Sequence, residues 1–310
     1  MVLLSQQNIG ALLVLFSAAG FSTLAIFIKL AFAAGANTLT ILTMRFALAS
    51  LCLWMLLKLF HISPKVKIKT VLKLGLMGAV GYGSMSLLFA ASLQYLPASL
   101  SEMLLFTYPI LVSILSFLIG DEQFSWQKGL ALAICFLGLF FILGVSLAGI
   151  SHLGIILGLG SAIIYSCYII IGKRVLQNVH PLVATTYVST AAAFAFTIYS
   201  STTNQLVLTL PFQGWLALFG TASFGTIVGI LGFFAGLNKI GAANASIIST
   251  AEPVLTVLLS VLVLGEQLTF LQFLGGLLVV ASILLLQLCT EDQKVDNRTL
   301  DVASCQTSDQ

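Results

Sequence analysis

The sequence contains very little charge. Only 7% of its 310 residues are Asp, Glu, Lys or Arg, whereas roughly a quarter of a soluble domain is charged. A chain with so few charges cannot cover a water-facing surface, and a hydrophobic fraction of 59% with a mean hydropathy of +1.10 points to lipid as the solvent. The net charge of +3 is small. Because the basic residues are scattered, nothing supports nucleic-acid binding.

Metal, redox and catalytic motifs are also missing from the sequence. The five cysteines include no pair with CxxC spacing, and none has a histidine at the spacing of metal ligands. The sequence contains no glycine-rich nucleotide-binding loop, no HExxH motif and no recognisable nucleophile–base pattern. We therefore expect no cofactor, no metal site and no enzymatic activity.

Long apolar segments take up most of the chain. A membrane-spanning helix needs about 20 apolar residues, and the sequence predicts such spans at 8–29, 38–60, 71–93, 97–119, 127–149, 153–175, 182–203, 213–236, 242–264 and 268–289. The predicted fold is an all-α membrane protein with about ten transmembrane helices. The remaining segment, 290–310, is polar and poor in apolar residues, so we expect a disordered cytoplasmic tail.

Lysine and arginine predict the orientation, because positive residues concentrate in cytoplasmic loops. The predicted loops on one side of the membrane hold most of them: Lys58, Lys65, Lys67, Lys69, Lys128, Lys173, Arg174 and Lys239. An even number of spans also requires both termini to share a side. We expect a multi-pass protein of a plasma membrane of the bacterial inner-membrane type, with both termini in the cytoplasm.

An internal repeat relates the two halves of the chain at a single offset of 144 positions. YPILVSILSFLIGDEQ at 108–123 aligns with EPVLTVLLSVLVLGEQ at 252–267, and the same offset pairs Gly81 with Gly225 and Ser17 with Ser161. Because each copy has an odd number of spans, the second copy must be inserted upside down. We expect two inverted five-helix repeats around a central cavity, at 1–149 and 150–289, which is an arrangement typical of secondary transporters.

Short motifs within the repeat connect it with a known family. The second half contains Glu252-Pro253, Gly265-Glu266, Gln272 and Gly275, while Tyr108 replaces the glutamate before Pro109 in the first half. With these motifs each half resembles an EamA domain of the drug/metabolite transporter superfamily. The resemblance implies ten helices around a central cavity, and export of metabolites or xenobiotics as the commonest role.

Three ionisable residues lie well inside predicted spans: Arg45, Glu102 and Glu252. A charge within the bilayer is costly, so such residues usually face a cavity or a partner. A salt bridge between Arg45 and Glu102 and a functional role for both residues remain open alternatives. Glu252 is the stronger functional candidate, because it lies near the predicted bilayer midplane, where transporter sites are found.

Glu252 has a distinctive local sequence. Ser249 and Thr256 share its helix face, and Pro253 predicts a kink that frees backbone carbonyls. Two roles for the carboxyl group stay open: binding of a cationic group of the substrate, and loading and release of a proton.

The first half supplies the other candidates. Glu102 shares a predicted face with Pro109, which predicts a second kink, and Tyr108 occupies the position equivalent to Glu252. Aromatic and polar residues of other spans complete the predicted wall: Tyr82, Tyr165, Ser22, Ser84 and Thr226. Glu122 and Glu266 are predicted to cap the helices that follow them, because a carboxylate favours a helix N-terminus.

The predicted function is secondary active export of a small metabolite or drug-like solute by alternating access, with proton coupling through Glu252. The expected partners are the solute, the lipid bilayer and protons, and the expected assembly is a monomer or homodimer. Three alternatives stay open: an importer or exchanger of the same fold, a membrane scaffold, and an intramembrane enzyme.

Overall fold

The structure of the chain is a computed structural model. It describes residues 6–120, 151–175, 179–233, 251–271 and 273–282, together with short pieces at 126, 129–130, 133–135, 137–138, 141, 235–236, 239, 248–249 and 284–285. Most of the fifth predicted span and all of the predicted tail at 290–310 lie outside these residues.

The protein has an all-α membrane fold of about ten transmembrane helices. The described residues form ten helical segments, two of which are halves of one predicted span. Their bounds are α1 (Gln6–Ala33), α2 (Thr38–Leu59), α3 (Ile68–Ser92), α4 (Ala98–Leu105), α5 (Tyr108–Leu118), α6 (His152–Val175), α7 (Pro181–Thr202), α8 (Phe212–Phe233), α9 (Ala251–Leu264) and α10 (Phe273–Ser282). Six of the helices are long and apolar enough to cross a bilayer without a break, namely α1, α2, α3, α6, α7 and α8.

The fourth predicted span is divided into two helices. Helix α4 ends at Leu105 and α5 begins at Tyr108, so the interruption directly precedes Pro109. Pro109 stands in the first turn of α5, where a missing backbone N–H does no harm. The break thus places Glu102 in α4 and Tyr108 at the start of α5, although only six positions separate them.

Contacts between loops show how the helices alternate across the membrane. Asn37, between α1 and α2, donates a hydrogen bond to the Gln205 carbonyl beyond α7 at 2.6 Å, and Gln94, beyond α3, donates to Thr38 at 2.7 Å. The ends of α1, α3 and α7 therefore share one membrane face. Since α7 ends there, α6 ends on the opposite face and runs in the sense opposite to α1. The two halves are inverted repeats.

Two π-helical turns occupy related positions in the repeats. One lies within α3 at Met77–Tyr82, and the other lies within α8 at Ser223–Val228. Gly81 and Gly225, which the 144-position offset pairs, fall inside them. A π turn adds a residue to the helix and is often found at functional sites. In this chain one turn places Tyr82 at the cavity, and the other places Thr226 within hydrogen-bond distance of Arg45.

Small residues allow α8 to pack closely on α1. A Cβ atom added to Gly229 would lie 2.7 Å from the Phe21 ring, and one added to Gly225 would lie 2.8 Å from Leu24. The Ser17 hydroxyl also donates a hydrogen bond to the Gly229 carbonyl. Helices in lipid associate through such close backbone approach and interhelical hydrogen bonds, so these glycines of α8 have a packing role.

Candidate functional site

A cavity of about 80 Å³ lies at the centre of the molecule between the two halves. Its walls come from α1, α2, α3, α4, α5, α6 and α9, and thus from both repeats. The lining residues are Phe21, Leu24, Arg45, Tyr82, Met85, Ser86, Phe89, Glu102, Leu105, Phe106, Tyr108, Tyr165 and Glu252. Three ionisable residues predicted inside different spans, Arg45, Glu102 and Glu252, meet at this one cavity.

Arg45 of α2 is held in a fixed position on one side of the cavity. Its side chain is 2% exposed. Nε donates a hydrogen bond to Thr226 Oγ1 at 2.9 Å, and Nη2 donates to Tyr82 Oη at 3.3 Å. The guanidinium carbon also lies 5.0 Å from the centre of the Phe46 ring, which is within the range of a cation–π contact. All three neighbours are electrically neutral.

The carboxyl groups of Glu102 and Glu252 contact each other. Glu102 belongs to α4 and is 3% exposed. Glu252 belongs to α9, and its carboxyl group lies within hydrogen-bonding reach of that of Glu102. An ionised carboxylate can only accept hydrogen bonds. A hydrogen bond between these two groups therefore requires at least one proton on the pair.

This pairing overturns the salt bridge considered between Arg45 and Glu102. In the described part of the chain, the hydrogen bonds of Arg45 go to two hydroxyl groups, and Glu102 is paired with Glu252. The sequence could not show this, because the partner of Glu102 comes from the other repeat, and the packing of the two repeats decides which residues meet.

A row of tyrosines forms the wall next to the carboxyl pair. The Tyr108 and Tyr165 rings meet edge to face with their centres 4.7 Å apart. The row continues from Tyr165 to Tyr168 at 6.0 Å and from Tyr168 to Tyr82 at 5.6 Å. Such aromatic pairs are stabilising beyond their buried area. Tyr168 was missed from sequence, although it stands three positions after Tyr165 and thus near the same helix face.

Several other candidates lie away from the cavity. Thr256 is fully buried, and its hydroxyl donates to the Glu252 carbonyl at 3.0 Å and, at 3.5 Å, to the Ser22 carbonyl of α1. Ser22 itself donates to the Ala19 carbonyl at 2.8 Å. Ser249 is half-buried and is not among the residues that line the cavity. Thr256 and Ser22 thus serve the contact between α1 and α9.

The serine that α3 contributes to the cavity lies two positions after the serine that was predicted. Ser84 lines a separate groove between α3 and α6, and the cavity is instead lined by Ser86. Ser86 follows Tyr82 by four positions, so the two share a helix face. The spacing of four positions from Tyr82 could have predicted Ser86 from the sequence. Ser84 is only two positions from Tyr82 and therefore lies on a different face of the helix.

Glu266 caps a helix, but a different one from the helix predicted. Its carboxylate accepts hydrogen bonds from the backbone N–H groups of Ala98 at 2.6 Å and Ser99 at 3.2 Å, and from the Ser99 hydroxyl at 2.8 Å. The capped helix is α4, in the other half of the chain. The four unpaired N–H groups at a helix start attract a carboxylate wherever the fold brings one. Glu122 lies outside the described residues.

Comparison with known proteins agrees with this architecture. The model of the EamA-like transporter family matches twice, over residues 8–144 and 152–288, and so covers both repeats. The chain belongs to the EamA-like transporter family. The earlier resemblance is thereby confirmed over most of the sequence.

Individual relatives of this EamA-like transporter are also named transporters. An uncharacterized transporter of Synechocystis is 30% identical over 225 residues, which span 67% of this chain but only 65% of that protein. The uncharacterized transporter YcbK of Bacillus subtilis is 26% identical over 276 residues, covering 86% of this chain and 88% of the relative. These names support a transporter.

A solved crystal structure shares the fold of this EamA-like transporter. It has 18% sequence identity, a TM-score of 0.65, and coverage of 92% of this chain and 98% of the other. At this identity the likeness shows the fold alone. The role of the cavity residues must therefore be argued from their own chemistry.

Proposed function

We propose that this EamA-like transporter exports a small solute by alternating access, and that Glu102 and Glu252 form its coupling site. The supporting observation is that the two carboxyl groups lie within hydrogen-bonding reach of each other beside one small cavity. Because a hydrogen bond between two carboxyl groups requires a proton, a basic group of the solute and the proton compete for the same pair. Competition of this kind links solute movement to proton movement.

The size of the cavity supports a cycle of opening and closing. A volume of about 80 Å³ holds only a few water molecules, whereas sites for drug-sized ligands measure roughly 300–1,000 Å³. The described conformation thus leaves little free space beside the carboxyl pair. A solute enters only when the two halves move apart on one side.

Contacts between the halves indicate where one closure lies. Glu266 of the second half holds the start of α4 in the first half by three hydrogen bonds. Lys29, near the end of α1, interacts electrostatically with the same Glu266. These groups meet at the face where α1, α3 and α7 end. Two inverted halves provide an equivalent closure at the other face in the alternate state.

In the proposed orientation, that face is the external face of a plasma membrane of the bacterial inner-membrane type, and both termini lie in the cytoplasm. Lys65 and Lys67 in the loop between α2 and α3, with Lys58 and Lys69 at the adjoining helix ends, support this orientation. Alkaline phosphatase, which is active only outside the cytoplasm, should be active when fused after Asn204 and inactive when fused after Ser63. The reverse pattern would overturn the orientation.

The decisive experiment compares metabolites inside and outside cells that produce the wild type, Glu252→Gln or Glu252→Asp at equal membrane abundance. Glu252→Gln retains the shape and hydrogen-bonding ability of the side chain but cannot ionise, while Glu252→Asp keeps a carboxyl group. We expect a solute that accumulates outside with the wild type, fails to do so with Gln, and partly recovers with Asp. A solute that accumulates inside the cells would establish an importer. Equal accumulation with all three variants would remove Glu252 from the mechanism.

A further inference from the structure

The groove between α3 and α6 is large and open toward the membrane. It has a volume of about 740 Å³, which is within the range of sites that hold whole ligands, roughly 300–1,000 Å³. Three of the side chains that line it, Leu76, Val80 and Ile171, are 66%, 60% and 53% exposed. Because α3 and α6 are membrane-spanning helices, these exposed apolar side chains face lipid. Acyl chains are therefore the solvent of this groove.

The groove extends from one membrane face toward the bilayer midplane. Lys73 lines one end of its α3 wall and Ser84 the other, and at 1.5 Å per residue these positions lie roughly 16 Å apart. Half of the hydrocarbon core of a bilayer measures roughly 15 Å. On the other wall, the groove reaches Val175, where α6 ends. Since α6 ends at the face where α3 begins, the groove has about the length of one leaflet.

Lysines concentrate where the groove meets that membrane face. Lys73 lines the groove, and Lys69, four positions earlier, shares its helix face. Both are exposed, as are Lys65 and Lys67 in the preceding loop. Neither α3 nor α6 contains an acidic residue. A lysine at such a depth lays its aliphatic stem on apolar surface and keeps its ammonium group at the interface, so this end of the groove favours an anion.

The equivalent contact in the rest of the repeat shows why this groove is open. The 144-position offset relates Leu76 to Gly220 of α8, and Ile171 to Phe27 of α1. A Cβ atom added to Gly220 would lie 2.6 Å from the Phe27 ring, so α8 and α1 touch there through a small residue. Leu76 and Ile171 instead border the groove. A gap between helices loses dispersion contacts, which an acyl chain restores.

The floor of the groove connects to the residues around Arg45. Gly81, from the π turn of α3, lines the groove, and a Cβ atom added to it would lie 3.0 Å from the Tyr168 ring. Tyr168 also lines the groove, and its ring centre is 5.6 Å from that of Tyr82. Tyr82 accepts a hydrogen bond from Arg45. A molecule in the groove therefore contacts the π turn that positions Tyr82.

We propose that this groove binds an anionic phospholipid, with the phosphate at Lys69 and Lys73 and one acyl chain between α3 and α6. In the proposed orientation the lipid belongs to the cytoplasmic leaflet. Basic pockets between transmembrane helices on that side recognise anionic head groups. The bound chain fills the gap between the two helices and stabilises the described conformation. The site is separate from the central cavity, and it requires neither a direction of transport nor the carboxyl pair.

The test counts the lipids bound to the purified full-length protein by native mass spectrometry. The probes are phosphatidylglycerol, phosphatidylcholine with the same acyl chains, and glycerol 3-phosphate, which has the phosphate but no acyl chain. We expect phosphatidylglycerol to bind about tenfold more tightly than phosphatidylcholine, and glycerol 3-phosphate not to bind at the same concentrations. Equal binding of the two lipids would overturn the proposal. Binding of glycerol 3-phosphate as tight as that of phosphatidylglycerol, or a lipid-free dimer, would assign the groove to another occupant.

Two lysine variants test the position of the head group. Lys73→Gln should weaken binding of phosphatidylglycerol about fivefold, since each lysine near an anionic lipid contributes a similar amount, and should leave phosphatidylcholine unchanged. Lys58→Gln is the matched control, because Lys58 is also exposed and lies at the same membrane face, in the last turn of α2, but does not line the groove. Equal effects of the two variants would show a general attraction to the basic face and overturn the site.

Two tryptophan variants test the position of the acyl chain. Val80→Trp fills the groove and should weaken binding of both lipids at least fivefold, by the loss of several buried methylene groups. Val263→Trp, at a position of α9 that is 52% exposed and does not line the groove, should change neither. Unfolding temperatures in lipid-free detergent check that both variants fold. Lipid binding by Val80→Trp as tight as that of the wild type would show that no acyl chain occupies the groove.

Discussion

Tyr82 and Thr226 stand at equivalent positions of the two repeats, 144 residues apart, and both accept a hydrogen bond from the one guanidinium of Arg45. Each lies in a π-helical turn of its helix. The repeat has therefore produced two related hydroxyl groups that converge on a single residue of the first half. An approximately symmetric scaffold thus holds an asymmetric charge.

Removal of the Thr226 hydroxyl should destabilise the protein. Thr226→Val leaves Nε of buried Arg45 without its acceptor, and an unsatisfied buried donor costs about 1–3 kcal/mol. We expect a lower unfolding temperature in detergent, with Thr226→Ser close to wild type because it keeps the hydroxyl. Tyr82→Phe removes the longer bond, at 3.3 Å, and should have a smaller effect. A larger loss in Tyr82→Phe than in Thr226→Val would contradict this ranking.

Loss of the Glu266 cap should weaken the contact between the halves. Glu266→Ala leaves the backbone N–H groups of Ala98 and Ser99 without their acceptor, and loss of a helix cap costs about 1 kcal/mol. Ser99→Ala, which removes one of the three hydrogen bonds, should show a smaller decrease in unfolding temperature. If Glu266→Ala is no less stable than Ser99→Ala, the cap does not hold the closed face.

Two glycines of α3 should respond in opposite ways to alanine. A Cβ atom at Gly78 would lie 2.2 Å from the Val188 carbonyl oxygen of α7, whereas one at Gly75 would meet nothing within 4 Å. Overpacking typically costs about 1–3 kcal/mol, so Gly78→Ala should lower the unfolding temperature. Gly75→Ala should leave it unchanged or raise it, because alanine favours a helix by up to about 1 kcal/mol. Equal effects would show that α3 and α7 are not in close contact.

Export should depend on external pH through the carboxyl pair. In the proposed cycle, protons from outside return to Glu102 and Glu252 when the solute leaves, so export of a basic solute should slow as external pH rises. The other titratable groups among the described residues that line this cavity are Arg45, Tyr82, Tyr108 and Tyr165. Efflux of the solute identified in cells is measured at a series of external pH values. A pH dependence in Glu252→Gln equal to that of the wild type would refute proton coupling at this pair.

The two carboxyl groups are expected to act as one unit. Glu102→Gln and Glu252→Gln each leave a carboxyl that can accept from the new amide, so each single variant should fold normally. Because one carboxyl alone cannot perform the same exchange, either change should abolish most coupled export, and the double variant should be no worse than the stronger single variant. Independent, additive losses measured in such a double-mutant cycle would contradict a shared site.

Periodicity and composition were enough to predict the membrane fold. Apolar runs of about 20 residues leave a helix as the only way to satisfy backbone hydrogen bonds in lipid, and α1, α2, α3, α6, α7 and α8 lie where such runs were found. The offset of 144 positions, with an odd number of spans in each copy, required inversion. The apolar content of each segment and the repeat offset decide the helices and the inversion, so both could be predicted without tertiary contacts.

The sequence also identified six of the thirteen described residues that line the cavity. Arg45, Tyr82, Glu102, Tyr108, Tyr165 and Glu252 were selected because polar and aromatic groups inside spans need a cavity or a partner, and all six line the same cavity. Ser86 was missed, since a serine within a helix can satisfy its own hydroxyl against the preceding turn. Only its unpaired state in the structure distinguishes it from Ser22, whose hydroxyl is bonded to Ala19.

The sequence by itself determined the solvent, the helices, the inverted repeat and the residues available for chemistry, because these follow from local apolar content and from a fixed offset. Only the tertiary structure decided which of these residues contact one another. It joined Glu102 to Glu252 and Arg45 to Tyr82 and Thr226, and it brought Glu266 to the start of α4. All of these contacts except that between Arg45 and Tyr82 join the two halves. They depend on how two inverted units pack, on the break before Pro109 and on the π turns. The periodicity of apolar residues along a helix encodes none of these three features.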